Sequence, residues 1–317
     1  MNVEPTLIQH FQENGCALAR GLFSAEEVEF YKRHYMELRH QGDYAGDFAG
    51  VESSEDDLNR ADPLQQYPRM IHMHRWDNAS RAWLLEERIR TYLHAFLGQD
   101  PYAVQTMLYF KPPGARGQAL HQDQYYLRAR PGTCVAAWLA LDPCDEENGC
   151  LQIIPGSADL PILCAVKADT TQSFTDITVP IPAGMEAEAV VMEAGDMFFF
   201  NGTLIHGSLP NASQDRFRRS LIAHYVTGNA KELTEYDQPV LTFDNRELWL
   251  DLSEKGGACG VWVEENGQPQ VEMLPKEPTG FFERDIDADE AIRQVHLQTQ
   301  GNTLTSGNNK KSLSERL

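Results

Sequence analysis

The sequence is short of positive charge. Its 317 residues carry 27 Lys and Arg against 47 Asp and Glu, a formal net charge of −20. Nucleic acids and anionic membranes are bound through basic patches, so neither is an expected partner. A polyphosphate substrate is disfavoured on the same ground. Also missing is any apolar run near the ~20 residues that cross a bilayer. The opening residues MNVEPTLIQHFQENG lack a basic segment followed by an apolar one, so no secretory signal is expected. Cysteine is scattered: Cys16, Cys134, Cys144, Cys150, Cys164 and Cys259 show no CxxC or other zinc spacing, which reads as reduced thiols in a cytoplasmic protein. There is no Ser/His/Asp triad and no Gly-rich phosphate loop in a supporting context. What remains is a chain with 42% apolar residues, ordinary for a folded core.

The first 100 residues read mainly as helix. Ser24 and Glu27 fit a capping box, followed by Val28, Tyr31, Tyr35 and Leu38 at helical spacing. Leu84, Leu85, Ile89, Leu93 and Phe96 form one stripe over 80–97, closed by Gly98. Between these helices, 42–68 is acidic and turn-rich and reads as a long loop. From 103 to about 227 the pattern changes to short β runs separated by Gly, Pro, Asn and Asp. The expected strands are 104–111, 119–128, 133–141, 150–154, 177–181, 189–193, 197–201, 203–207 and 220–226. So many short strands suggest a sandwich or jelly roll. Beyond 228 an Asn266-Gly267 pair between two β-like runs signals a hairpin. A short helix is expected at 287–298 and a disordered polar tail from 301. The expected organisation is one domain over 1–300: a helical part (1–100), a β core (103–227) and an extension (228–300).

The chemistry concentrates in three residues. His121 and Asp123 stand in LHQDQYYL; on a strand, residues two apart share a face, with Gln122 turned away. His206 follows 85 residues later (206 − 121), in NGTLIHGS, and Arg218 12 residues after that (218 − 206). Two imidazoles and a carboxylate on one side of a metal leave three coordination positions open, the pattern of a non-haem iron site. Taken singly, an HxD pair or a lone His is more often structural; the ordered set carries the inference.

The stretch 107–226 resembles the phytanoyl-CoA dioxygenase family of Fe(II)/2-oxoglutarate-dependent oxygenases. The matching phrases are LYFKPPG (108–114), LHQDQYYL (120–127), AAWLALD (136–142), ENGCLQIIPGS (147–157), GDMFFFNGTLIHGSLPNAS (195–213) and FRRSLIAHY (217–225), with ENGCALARGLFSAEEVEFYKR near the start. The resemblance implies a mainly β fold with flanking helices around a double-stranded β-helix (jelly-roll, cupin-like) core. It implies that His121, Asp123 and His206 bind Fe(2+). Arg218, with Ser208 and an aromatic wall at Trp138, would then hold 2-oxoglutarate. A guanidinium suits a carboxylate, whose two oxygens it can bind together. Arg219 is the competitor, since only one of the two can face inward; the fit of FRRS favours Arg218. O2 is the co-reactant, ascorbate a supporting reductant and a small molecule the substrate. The implied activity is hydroxylation of an unactivated C–H bond with release of succinate and CO2. Asp123 is intact where halogenating variants carry Gly or Ala. The family's Pro-Gly-Ser-His phrase here reads PGSAD (155–159), a departure that bears on the loop or the substrate. A jelly-roll binding module without activity, and a cupin using another metal, are the alternatives.

Three further residues are candidate substrate contacts. Tyr125 and Arg128 continue the segment after the HxD pair, where ordinary surface is an equal alternative. His74 lies in RMIHMHRW, a segment expected beside the pocket. His72, His74 and Asp77 together could bind zinc, but no third His or Cys is near. Asp285, Asp287 and Asp289 lack the Gly and closing Glu of a calcium loop. The sequence leaves oligomeric state open.

Overall fold

The computed structural model describes residues 2–51, 62–253, 258–265 and 268–274. The helix and tail expected beyond residue 287 lie outside the described residues, and the acidic segment 42–68 is described only in part. Among the described residues, no helix is long and apolar enough to cross a membrane.

Two antiparallel sheets face each other. The larger has the order Cys16–Ala19, Met197–Asn201, Cys134–Ala140, Ser220–Val226, Tyr102–Tyr109, Val240–Leu241 and Glu247–Leu248, with Met70–Ile71 also paired to Tyr102–Tyr109. The smaller has the order Gln118–His121, His206–Ser208, Leu151–Ile153 and Glu188–Val190. This is the expected jelly-roll core, mainly β with flanking helices. Strands of the larger sheet are apolar on both sides because both sides are covered. Trp138, Phe198, Phe200 and Ile222 meet Leu151, Ile153 and Val190 of the smaller sheet. The alternate residues Leu139, Phe199, Leu221 and Tyr225 face the helical layer through Phe11, Trp83, Leu93 and Phe96.

The helices follow their end signals. Ser24 and Glu27 form the capping box at the start of Ala25–Gln41. Gly98, at φ 69°, ends Glu87–Leu97 in the left-handed region that favours glycine. The single stripe expected over 80–97 is instead two helices, Asn78–Leu84 and Glu87–Leu97. Glu86 breaks it: its carboxylate accepts from the Arg88 N–H and caps the second helix, while the Arg88 guanidinium reaches Leu22 O and Glu27. The hairpin expected around 266–267 forms between Cys259–Glu265 and Gln268–Leu274.

Three other expectations are corrected. The strand expected over 119–128 stops at His121; Asp123 is helical (φ −59°, ψ −34°) and begins the short helix Gln124–Leu127. Its carboxylate therefore reaches the site from a turn. The cysteines are not all reduced: Cys164 and Cys259 form a disulfide, and Leu163 bridges Gly260 beside it, tying the hairpin to the loop after Ile153. His72 and His74 do not share a strand face. His72 has φ 58° and His74 opens onto Thr106, its Nδ1 3.0 Å from Thr106 Oγ1. Asp77 is engaged by His34 and Ser80, so no zinc set forms there.

Two measurements check this packing. Phe199 is fully buried, stacked on Tyr92 at 5.3 Å and edge-on to Phe96 at 5.4 Å. Phe199→Ala should destabilise the fold by about 3–5 kcal/mol in urea, with little change in the denaturant slope. Burial, helped by the Arg75 and Arg81 charges, lowers the pKa of His74 from 6.5 to about 3. Between those values the unfolded state holds the extra proton, so this contribution to stability is present above pH 6.5 and is lost as pH falls toward 3. The stability advantage of the wild type over His74→Gln should accordingly shrink as the pH is lowered through that window.

Candidate metal and cosubstrate site

The register of the smaller sheet brings two histidines together. His206 pairs directly with His121 across adjacent antiparallel strands, and their rings lie 4.2 Å apart. Residues opposite each other in such a pair point to the same face. Each ring is fixed through Nδ1, which lies 2.8 Å from Ala119 O in His121 and 3.0 Å from Leu204 O in His206. A carbonyl can only accept, so both Nδ1 atoms carry the proton and both Nε2 lone pairs face the site. Asp123 completes the set: its oxygens lie 3.4 Å from His121 Nε2 and 3.6 Å from His206 Nε2. One ligand atom from each of the three residues falls within 4.8 Å of the others.

Neighbours hold Asp123 in place. Gln122 points the other way, donating to Pro161 O and Thr203 O and accepting from the Leu163 N–H. His224 Nε2 sits 3.0 Å from Asp123 Oδ2. Burial opposes the carboxylate charge, but the surrounding histidines, His224 among them through its 3.0 Å contact, keep its pKa well below the ordinary value. Burial lowers His206 to about 4, so its imidazole is neutral near pH 7. A carboxylate and neutral imidazoles are the protonation states a divalent metal requires.

The three residues open into a cavity of about 860 Å³. Lys111 and Arg218 stand together at one end of the site. Arg218 is 1% exposed; its Nε donates to Gly149 O, its Nη1 donates to Ser220 Oγ, and its guanidinium carbon lies 5.3 Å from the Trp138 ring centroid. Lys111 is 2% exposed and donates to Ser208 Oγ, Gly149 O and Leu209 O. Neither forms an ion pair among the described residues. Burial and the Arg218 charge push the Lys111 ammonium well below its usual range, and burial lowers Arg218. A buried charge without a counter-ion is costly, and a bound anion would reverse both shifts. All three Lys111 N–H groups are used, so Lys111 supplies charge and holds Ser208. Arg218 Nη2 makes no hydrogen bond among the described residues and is free to meet an anion. The Asn148-Gly149 turn builds this end: Gly149 has φ 82°, and a Cβ there would lie 2.5 Å from Leu209 O.

Of the residues expected in the site, His121, Asp123, His206, Arg218, Ser208, Trp138, Tyr125 and Arg128 all line this cavity. Arg219 turns away and pairs with Asp142 through Nε and Nη2 at 2.7 and 2.8 Å. His74 does not reach the cavity; it is buried against Thr106. Sequence reasoning missed Lys111, His224 and the Thr234–Asp237 turn, while Arg69 stands in the RMIHMHRW segment expected beside the pocket and does line it. Period-two alternation from Ser220 could have found His224. Lys111 ends the LYFK phrase, yet nothing in that phrase marks its burial. The Thr234–Asp237 turn stands in a segment without a motif.

Comparison with known proteins agrees with this geometry. The phytanoyl-CoA dioxygenase (PhyH) family model matches residues 11–220. The peroxisomal phytanoyl-CoA dioxygenase of Rattus norvegicus is 27% identical over 243 residues, covering 71% of this chain and 68% of that protein. Phytanoyl-CoA dioxygenase 1 of Oryza sativa subsp. japonica is 27% identical over 246 residues, covering 69% and 87%. Among solved structures, the epimerase SnoN, in complex with Fe3+, α-ketoglutarate and nogalamycin RO, superposes with a TM-score of 0.57 at 20% identity, covering 71% of this chain and 84% of SnoN. At that identity the likeness establishes the fold. The family match spans both histidine-bearing strands of the smaller sheet, Asp123 and Arg218, and the chain therefore belongs to the phytanoyl-CoA dioxygenase family of iron- and 2-oxoglutarate-dependent oxygenases.

Proposed function

We propose that the protein oxidises an unactivated C–H bond of a small molecule, by hydroxylation, and converts 2-oxoglutarate to succinate and CO2 as it does so. The observation that carries this reading is the sharing of one cavity by a three-ligand face and a buried cationic end without counter-ions. His121, Asp123 and His206 would hold Fe(2+) by one face and leave three positions for cosubstrate and O2. Arg218 would bind the far carboxylate of 2-oxoglutarate through its open Nη2 edge, with Ser208, held by Lys111, as a second donor and Trp138 as the wall. The iron with 2-oxoglutarate, when bound, supplies the oxygen-activating chemistry; the protein supplies geometry and exclusion of water. Ile71, Met107, Phe200 and Ile222 give the cavity apolar walls for that purpose. Intact Asp123 supports oxygenation over halogenation.

Purified protein given Fe(II), ascorbate and 2-oxoglutarate should form succinate, while absence of 2-oxoglutarate binding by anaerobic calorimetry with Mn(II) would refute the proposal and favour a binding module. Asp123→Ala should reduce succinate formation to background. Arg218→Ala should raise the KM for 2-oxoglutarate by about a hundredfold, within the 2–5 kcal/mol typical for removing one partner of a buried charge pair. Arg219→Ala should leave that KM nearly unchanged. A reversed result for the two arginines would assign the anchor to Arg219.

A further inference from the structure

The same cavity contains another cation, Arg69, for which the proposed cosubstrate chemistry has no use. Acid is abundant in this chain, and other arginines find it: Arg20 pairs with Asp196, Arg88 with Glu27, Arg116 with Asp62 and Arg216 with Asp145. Arg69 pairs with no carboxylate among the described residues. It is nonetheless held firmly. Its backbone exchanges two hydrogen bonds with Phe48. Its guanidinium carbon lies 4.8, 5.3 and 5.4 Å from the ring centroids of Phe48, Tyr109 and Phe174. Its Nη1 donates to Tyr109 Oη at 2.7 Å. Its Nε is buried and makes no hydrogen bond.

A role limited to clamping the Phe48 segment uses the face of the guanidinium and Nη1. It leaves Nη2 without a hydrogen bond among the described residues, and paired N–H groups of a guanidinium are what meet the oxygens of a carboxylate. The position also fits a substrate group. Tyr109 Oη donates onward to Gln118 Oε1 at 2.9 Å, and Gln118 Nε2 lies 3.1 Å from His121 Nε2, so three contacts separate Arg69 from a metal-site histidine. Phe48, Ile71 and Met107 line the cavity beside it. The net charge of −20 repels anions at long range, but at physiological ionic strength exposed charges beyond about 8 Å are largely screened. Asp176, Glu235 and Asp237 also line the cavity, but none of them pairs with Arg69.

We propose that Arg69 is a carboxylate subsite for the substrate: the substrate is an apolar molecule bearing a carboxylate, which Arg69 grips while the apolar body extends along Ile71 and Met107 toward the metal site. This rests on the functional reading above for the place of the reacting centre. Decanoate and its neutral amide, decanamide, test it by calorimetry on the full chain, with and without Mn(II) and 2-oxoglutarate. The wild type should bind decanoate at least about tenfold more tightly than decanamide. Arg69→Met should erase that preference, leaving decanamide affinity unchanged. Arg69→Lys keeps a cation among the rings but lacks the planar fork; it should weaken decanoate about tenfold and serves as the test if Arg69→Met does not fold. No preference in the wild type, whether both ligands bind or neither does, overturns the proposal. So does a preference that survives substitution in a folded variant. Affinity for 2-oxoglutarate, measured in the same proteins, should be the same in all three; its absence in the wild type counts against the functional reading, and the carboxylate preference is still read without cosubstrate.

Discussion

The antiparallel register that sets His206 opposite His121 is the constraint on which the site depends. A slip of one residue would turn one imidazole out of the cavity and into the wall. The register is fixed from both sides, because His206–Ser208 also pairs with Leu151–Ile153. Gly207 lets the strands approach: a Cβ there would lie 2.7 Å from Gln118 O. Asp123 depends on the same arrangement by a different route. It leaves the strand through a turn that Gln122 locks with three hydrogen bonds to the loops at 161–163 and 203. The residue facing away from the site thus positions the residue facing into it.

The cavity of this acidic chain holds cations that its acids do not pair with. The protein carries a net −20, yet the cavity-lining cations Arg218 and Arg69, with Lys111 beside Arg218, have no carboxylate partner among the described residues. Two physical effects make that tolerable. Lys111 is saturated and Arg218 partly satisfied by carbonyl and hydroxyl acceptors, which offset part of the desolvation cost. Arg69 is cushioned by three aromatic rings. What the acceptors and rings do not supply is negative charge, and an arriving anion does. The carboxylate of Asp123, between His121, His206 and His224, is kept well below its ordinary pKa.

Much of this was legible because the jelly roll writes its turns plainly. Met197–Asn201 and Ser220–Val226 match the expected strands end to end, since each is bounded by turn residues and covered on both faces. The Ser24 capping box and the Gly98 stop are local signals and appear where expected. The failures share a cause: tertiary contacts that no local pattern carries. Asp123 leaves the strand because Gln122 is bound by distant loops, and the 80–97 stripe breaks because Arg88 is drawn to Leu22 and Glu27. Lys111 and Arg69 look like ordinary cations in the sequence; only packing shows that their partners are missing. The Cys164–Cys259 pairing joins residues 95 apart and has no spacing signal.

The extension after the family match explains how one chemistry is given a particular cavity. The matched residues end at 220 and contain His121, Asp123, His206 and Arg218. A wall of the same cavity includes Thr234, Tyr236, Asp237, Leu252 and Ser253, all beyond that limit. This wall is anchored to the core and is not loosely draped: Arg75 donates to Tyr236 O and Gln238 O, Gln105 donates to Asp237 Oδ1, and Glu232–Leu233 pairs in parallel with Asp251–Leu252. Burial raises the pKa of Asp237, whose two oxygens accept from Gln105 and Thr234. A fold hosts many substrates by changing the residues around a fixed reactive centre. Here the two histidines come from the smaller sheet and the Thr234–Asp237 turn from the extension, so residues around the candidate centre, Arg69 and that turn among them, would set which substrate fits.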